Sequence, residues 1–233
     1  MKIEITIPSS LSEIPLCRYQ AFVKMRNSST DEELIAYKMI SLLCDVPLST
    51  VSKMSLISVN DLILHLGKIF EEKPKFRTTF KMNGKEFGFI PDLEAIQLDE
   101  YITLEKHLTD WENYNKAMAV MYRPILSKHK SKYEIAPFDS MPEMDEVMKY
   151  VPLDIAMSSS VFFWTLEMEL LEGTLRYLET EIMKDKTLKT NIAQGLNLAN
   201  GGGGIPAFMH SLRENLQSLT TSYPCNYLNV STI

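Results

Sequence analysis

The chain has little of what marks a specialised chemistry. Its three cysteines, Cys17, Cys44 and Cys225, are far apart, odd in number and in no CxxC or Cys/His spacing, which excludes the sequence signature of a disulfide framework or a zinc cluster. They read as reduced, mostly buried thiols of a cytoplasmic product. Four histidines, His65, His107, His129 and His210, stand on separate stretches, and no HExxH brings two onto one helix face. A metal site would have to be assembled from distant residues. Basic charge is in deficit: 24 Lys and Arg against 30 Asp and Glu give a net charge of −6, which argues against a general polyanion binder and leaves room for a local basic patch. The longest uncharged run of real hydrophobicity, Ile155 to Leu166, is too short to span a bilayer. The opening MKIEITIPSS has no apolar signal-peptide core, so neither secretion nor membrane anchoring is expected. No internal repeat is visible.

What is present is length and periodicity. A chain of 233 residues can hold one large or two small domains with a core stable unaided. From Pro152 to Asp185, residues Met157, Val161, Trp164, Met168, Leu171, Leu175, Leu178 and Ile182 are separated by alternate gaps of four and three, the a/d spacing of a helix seam. Pro152 suits a first helical turn and Asp154 complements the positive end of the dipole. Such a rod approaches ~50 Å at about 1.5 Å per residue. Glu172 is placed to pair with Arg176 one turn on. Gly173 falls opposite the seam, where it costs about 1 kcal/mol against Ala unless another backbone comes close. Two arrangements satisfy the pattern: a helix packed inside the chain's own core, or a seam between chains.

Upstream, Ile3, Ile5 and Ile7 alternate with polar residues as in a short half-buried strand. Ser12 opens a helix to about Met25; Thr30-x-x-Glu33 is a capping box for a helix that Pro47 ends; Ser58-x-x-Asp61 starts another with Leu62, Leu66, Ile69 and Phe70 on one face. The strongest hairpin signal is FRTTFKMNGKEFGFI, with Asn83-Gly84 where a type I′ turn needs positive φ. That turn sets Met82 against Lys85, Lys81 against Glu86, Phe80 against Phe87 and Gly88 against Thr79, and gathers Phe76, Phe80, Phe87 and Phe89 on one face. A lone hairpin is marginal in water, so its aromatic face must pack on helices or on a third strand, for which residues 1 to 7 are the candidate. A short helix is expected over Leu98 to Leu108. Thr109-x-x-Glu112 then opens a helix to about Arg123 that Pro124 ends. Residues 128–142 read as a linker, and Gly201 to Gly204 break the chain before a last helix with Phe208 and Leu212 on a face.

Catalytic signatures are missing. Ser158-Ser159-Ser160 has no glycine flanks of a nucleophile elbow, and its small residues suit close helix contact. The glycine run lacks the GK[ST] of a phosphate loop and reads as a flexible joint. The cluster of Arg123, Lys128, Lys130 and Lys132 is either a solvated loop or a contact for phosphate or an acidic partner; aromatic residues for stacking single strands are not interleaved with it. No enzyme activity, cofactor or metal is expected.

The run FKMNGKEFGFIPDLEAIQLDEYITLEKHLTDWENYNKAMAVMYRPI, with its hairpin, short helix, Trp-bearing helix and closing YRPI, resembles structural proteins of tailed bacteriophages, especially crAss-like and related podovirus-type phages. The likeness covers about residues 76 to 125 and nothing after residue 150. It implies a virion or assembly component, in particular a ring at the neck or tail joining head to tail. The implied partners are further copies of itself in a cyclic homo-oligomer, other neck, portal or tail proteins, and DNA passing through the assembly. The implied location is the virion, with host cytoplasm during assembly; a non-virion tail chaperone or scaffold is the alternative. The N-terminal strand and hairpin depart from a plain helical adaptor.

The expected fold is therefore α+β and predominantly α-helical: a mixed domain over 1–127 with a small antiparallel hairpin, a linker over 128–142, a long-helix region over 143–200, and a glycine joint with an extended arm over 201–233. The candidate interface is Met157, Val161, Trp164, Met168, Leu171, Leu175, Leu178, Ile182, Phe208 and Leu212.

Overall fold

The computed structural model describes residues 5–130, 132–138 and 142–184. The expected C-terminal arm, with its glycine joint, Phe208, Leu212 and Cys225, lies outside the described residues. The chain is α+β and mostly helical, and it forms two compact units divided between Ser160 and Val161. The first unit opens with helices α1 (Leu16–Ser28), α2 (Glu32–Leu43), α3 (Leu48–Val51) and α4 (Leu56–Phe70), followed by strands β1 (Thr79–Met82) and β2 (Lys85–Phe89). Helices α5 (Leu98–His107) and α6 (Tyr114–Met121), strands β3 (Tyr122–His129) and β4 (Lys132–Ile135), and helix α7 (Pro142–Met148) complete it with the start of α8 (Leu153–Lys184).

Helix starts follow local chemistry. Before α1, Leu11–Glu13 form a 3-10 turn and Pro15 holds an extended conformation, so the helix begins at Leu16 rather than at Ser12. The segment around Pro15 is instead tied to the entry of α8: Leu16 N–H donates to the Val151 carbonyl and Leu153 N–H to that of Ile14, both at 2.9 Å. Asp31, one residue after the expected Thr30, caps α2 by accepting from Leu34 N–H. Ser55 caps α4 through Ser58 N–H, one turn ahead of the expected start. Leu16, Phe22, Met39, Ile40, Leu43, Leu66, Tyr114 and Met118 are fully buried and form the helical core. Each contributes on the order of 1.5–3 kcal/mol of apolar burial.

The sheet is antiparallel in the order β1-β2-β3-β4. Its first hairpin has the expected register, from Thr79 opposite Gly88 to Met82 opposite Lys85, around Asn83 and Gly84 at φ of 50° and 75°. The aromatic face also forms: Phe80 stacks on Phe87 at 5.3 Å, Phe76 meets Phe89 edge-on at 4.9 Å, and Tyr122 packs on Phe80 and Phe89. The third strand, however, is not formed by residues 5–7, and residues 1–4 of the expected strand lie outside the described residues. Residues 5–7 have no strand structure, and Ile7 is exposed. Strand β3 takes that place, pairing Phe87 with Pro124 and Phe89 with Tyr122.

The Trp-bearing helix therefore stops early. Asp110 caps a 3-10 turn at Trp111–Asn113, α6 ends at Met121, and the chain turns extended at Tyr122. Pro124 bars helix for the residue before it. A proline inside a sheet removes a donor, and here it sits at a hand-over. Pairing with β2 ends at Pro124, pairing with β4 begins at Ile125 with an irregularity before Ser127, and the Pro124 carbonyl accepts from Ala136 N–H. The reading of residues 128–142 as a linker is corrected accordingly: among the described residues 128–129 belong to β3 and 132–135 to β4, and α7 joins the first unit.

Helix α8 spans Leu153–Lys184, within a residue of the expected rod at either end. Its first turns are buried in the first unit through Leu153, Ile155, Ala156, Met157 and the serines Ser158, Ser159 and Ser160. Its residues from Val161 on belong to the second unit.

Candidate functional site

Both hairpin turns lie at the same end of the sheet. Strand β2 leaves the Asn83-Gly84 turn and β3 runs antiparallel to it, so the turn after His129 falls beside the first one. By the β2–β3 register, Gly84 comes level with Ser127. The second turn thus reaches about 10 Å farther at roughly 3.3 Å per residue. This end carries Lys81, Lys85, Lys128, His129, Lys130 and Lys132, all exposed. Of the acids nearby, Glu86 accepts from Lys128 Nζ at 2.5 Å, and Glu134 accepts from Ser127 Oγ at 3.0 Å. Lys128, and secondarily Lys81, hold the Glu86 carboxyl below the ordinary carboxylate range. The cross-strand charge pair expected between Lys81 and Glu86 is thus shared, with Lys128 making the contact.

Arg123 does not join this basic end. It lies opposite Gly88 in the interior of the sheet, is buried, and places Nη1 2.8 Å from Oε1 of the buried Glu100 on α5. Glu100 also accepts from the Gln97 N–H with its other oxygen, capping α5. A buried, paired guanidinium has no surface to offer phosphate, so Arg123 leaves the candidate set while Lys128, Lys130 and Lys132 remain. Lys81 and Lys85 were not in that set. They stand far from the others in sequence, and only the pairing of β2 with β3 brings them together.

The apolar seam of α8 divides in the same way. Met157 is buried in the core of the first unit, which excludes it from any surface contact. Val161 is 38% exposed, and Trp164 and Met168 are partly exposed. The side chains of Leu171, Leu175, Leu178 and Ile182 lie outside what is described, although their backbone is helical. Glu172 and Arg176 form the expected pair at 3.2 Å on an exposed face. A surface that the periodicity did not single out lies on α5. Leu98, Tyr101 and Ile102, at i, i+3 and i+4, are 74%, 52% and 54% exposed and make one apolar stripe.

Buried polar groups elsewhere are structural. Ser159 Oγ donates to the Ala156 carbonyl and is 3.1 Å from the Tyr114 hydroxyl; Gln20 donates to Asn115 Oδ1 at 2.9 Å. Cys44 is buried, its thiol pushed up to about 11 by desolvation, and Cys17 is half-buried; both are free thiols. Cys44 borders a surface cavity of about 520 Å³ beside the Arg18–Asp45 ion pair. Among the described residues no group of three His, Cys, Asp or Glu is placed to hold a metal, and no helix is long and apolar enough to cross a membrane. No protein-family model, curated protein or solved structure matches this chain.

Proposed function

We propose that this protein works by assembly, as a ring-forming structural component of the head–tail neck or tail of a tailed phage. The observation that carries the reading is α8. A helix of 32 residues, about 48 Å at 1.5 Å per residue, starts in the core of one unit and continues past Ser160 with a heptad-spaced apolar sequence. A cyclic ring needs two different surfaces on each copy that fit one another head to tail. The exposed stripe of α5 and the start of the α8 seam beyond Ser160, where Val161 is 38% exposed and Trp164 and Met168 are partly exposed, are two stretches of different sequence, which supports that requirement. The resemblance of residues 76–125 to phage structural proteins supplies the setting.

Mass spectrometry of purified virions tests the proposal at least cost. The expected result is this chain at a fixed multiple-copy ratio to the portal, and electron microscopy then locates it as cyclic copies. Abundance in infected cells with none in mature particles would instead identify a tail chaperone or scaffold that leaves before maturation.

A further inference from the structure

We propose that the end of the sheet that carries both hairpin turns holds the phosphate backbone of double-stranded nucleic acid. The inference stands apart from the assembly reading, since it rests on the first unit alone. Lys81, Lys85, Lys130 and Lys132 have no ion pair among the described residues, while Lys128 is engaged by Glu86. A chain of net charge −6 thus concentrates positive charge at one place in its sheet. Lysines that neutralise phosphates release the counterions condensed on the duplex, which gives a local patch an affinity of its own against the repulsion from the acidic remainder.

The side chains present decide the partner's class. Lysine offers a point charge suited to phosphate oxygens and can also reach guanine, but of the planar Arg, Asn and Gln side chains that discriminate bases by paired hydrogen bonds only Asn83 is here, in the first turn. Stacking single-stranded bases needs free aromatic faces. The one aromatic of this hairpin pair outside the core, Tyr133, lies over Gly88 with its hydroxyl donating to the Phe89 carbonyl at 2.9 Å. A protein partner is disfavoured because lysine is depleted at protein interfaces and only Leu126 adds apolar surface nearby. What remains is contact with a duplex backbone, without sequence preference.

The second turn differs from the first in the residue it places at positive φ. The first turn uses Asn83 and Gly84, the residues that positive φ favours, whereas the second puts Lys130 at φ 54°. An L side chain is disfavoured there, so replacing Lys130 by Gly relaxes the backbone while removing the charge, which separates the two effects.

The test is fluorescence anisotropy of the full chain with a labelled duplex of about 30 base pairs across a salt series. With four lysines on phosphates, log K should fall with log salt at a slope of about −3 to −4, roughly a hundredfold between 50 and 200 mM. Lys81→Gln, Lys85→Gln, Lys130→Gln and Lys132→Gln combined should weaken binding more than tenfold. Changing Lys24, Lys53, Lys68 and Lys73 to Gln, an equal change in net charge elsewhere, should leave most of it. Glu86→Gln should release Lys128 and steepen the slope by about 0.9. Lys130→Gly should raise the melting temperature while weakening binding, a pairing that misfolding cannot produce. Duplexes of unrelated sequence should bind alike. Binding that ignores salt, an equal loss in both lysine sets, or poly-glutamate binding that a duplex does not displace would each overturn the proposal, the last by assigning the surface to an acidic protein.

Discussion

Arg123 and Glu100 are both buried, and Arg123 Nε has no hydrogen-bond partner among the described residues. Desolvation works against such a pair, and the Coulomb attraction and the Gln97 N–H offset it. Removing one partner is worse than removing both. Glu100→Ala should cost about 3–5 kcal/mol in urea unfolding, whereas Glu100→Leu with Arg123→Met should cost far less. His107 shows the reverse problem. It is buried, its Nδ1 has no hydrogen-bond partner among the described residues, and Asp110 is 3.9 Å away. Desolvation first, then Lys116 and Lys106, lowers its pKa below the ordinary 6.5. The unfolded chain therefore binds this proton more readily than the folded one. Stability should be fully present above about pH 6.5 and fall as pH drops through the lowered folded value. Asp145, whose carboxyl is raised mainly by burial, acts in the opposite sense, gaining relative stability as protons bind in the carboxylate range. His107→Gln should flatten the loss between about pH 6.5 and 5 in thermal melts, leaving the Asp145 contribution below.

At the scale of elements, Gly88 holds the sheet's second hairpin against the first. A Cβ at Gly88 would lie 2.5 Å from the Tyr133 ring and 3.0 Å from Ile125. Gly88→Ala should therefore displace Tyr133 and cost about 1–3 kcal/mol. Adding Tyr133→Ala should cost less than the sum of the two single changes, a coupling that denaturant-unfolding double-mutant cycles measure. Gly173 in α8 is the opposite case. An added Cβ there meets nothing within 4 Å, so Gly173→Ala should raise helix stability by about 1 kcal/mol, read as a higher melting temperature. A loss of self-association without loss of stability in that variant would place a neighbouring backbone against this residue.

At the scale of the whole molecule, assembly predicts a mass in solution well above one chain, rising with concentration in light scattering. Val161→Asp with Met168→Asp, both on the expected seam and neither deeply buried, should shift that mass towards one chain while leaving the melting of the first unit unchanged. An unchanged mass would exclude this stretch of α8 as a contact.

Legibility follows the range of the interactions. The Asn83-Gly84 turn and the register it imposes were readable because positive φ, strand alternation and the facing phenylalanines all act within a dozen residues. So was α8, since a sustained 3.5-residue apolar period has no other regular structure to satisfy it. The starts of α2 and α4 were legible to within a turn, because Ser, Thr and Asp compete for the same cap, whereas Pro15 and the 3-10 turn at Trp111 delayed α1 and α6. The third strand was not: Tyr122–His129 follows a helix and contains Pro124, and its case rests on backbone hydrogen bonds to β2, more than thirty residues earlier in the chain. Arg123 was misplaced for the same reason. Beside lysines it looks like surface, and only its position opposite Gly88 and against Glu100 shows that it is core.

Sequence alone thus determined the first turn, the long helix and the mostly helical class, because these obey constraints that each residue shares with near neighbours. Tertiary structure alone decided which strand completes the sheet, which cation is buried and which lysines stand together. Those outcomes depend on hydrogen bonds and desolvation between positions that the chain brings together only when it folds.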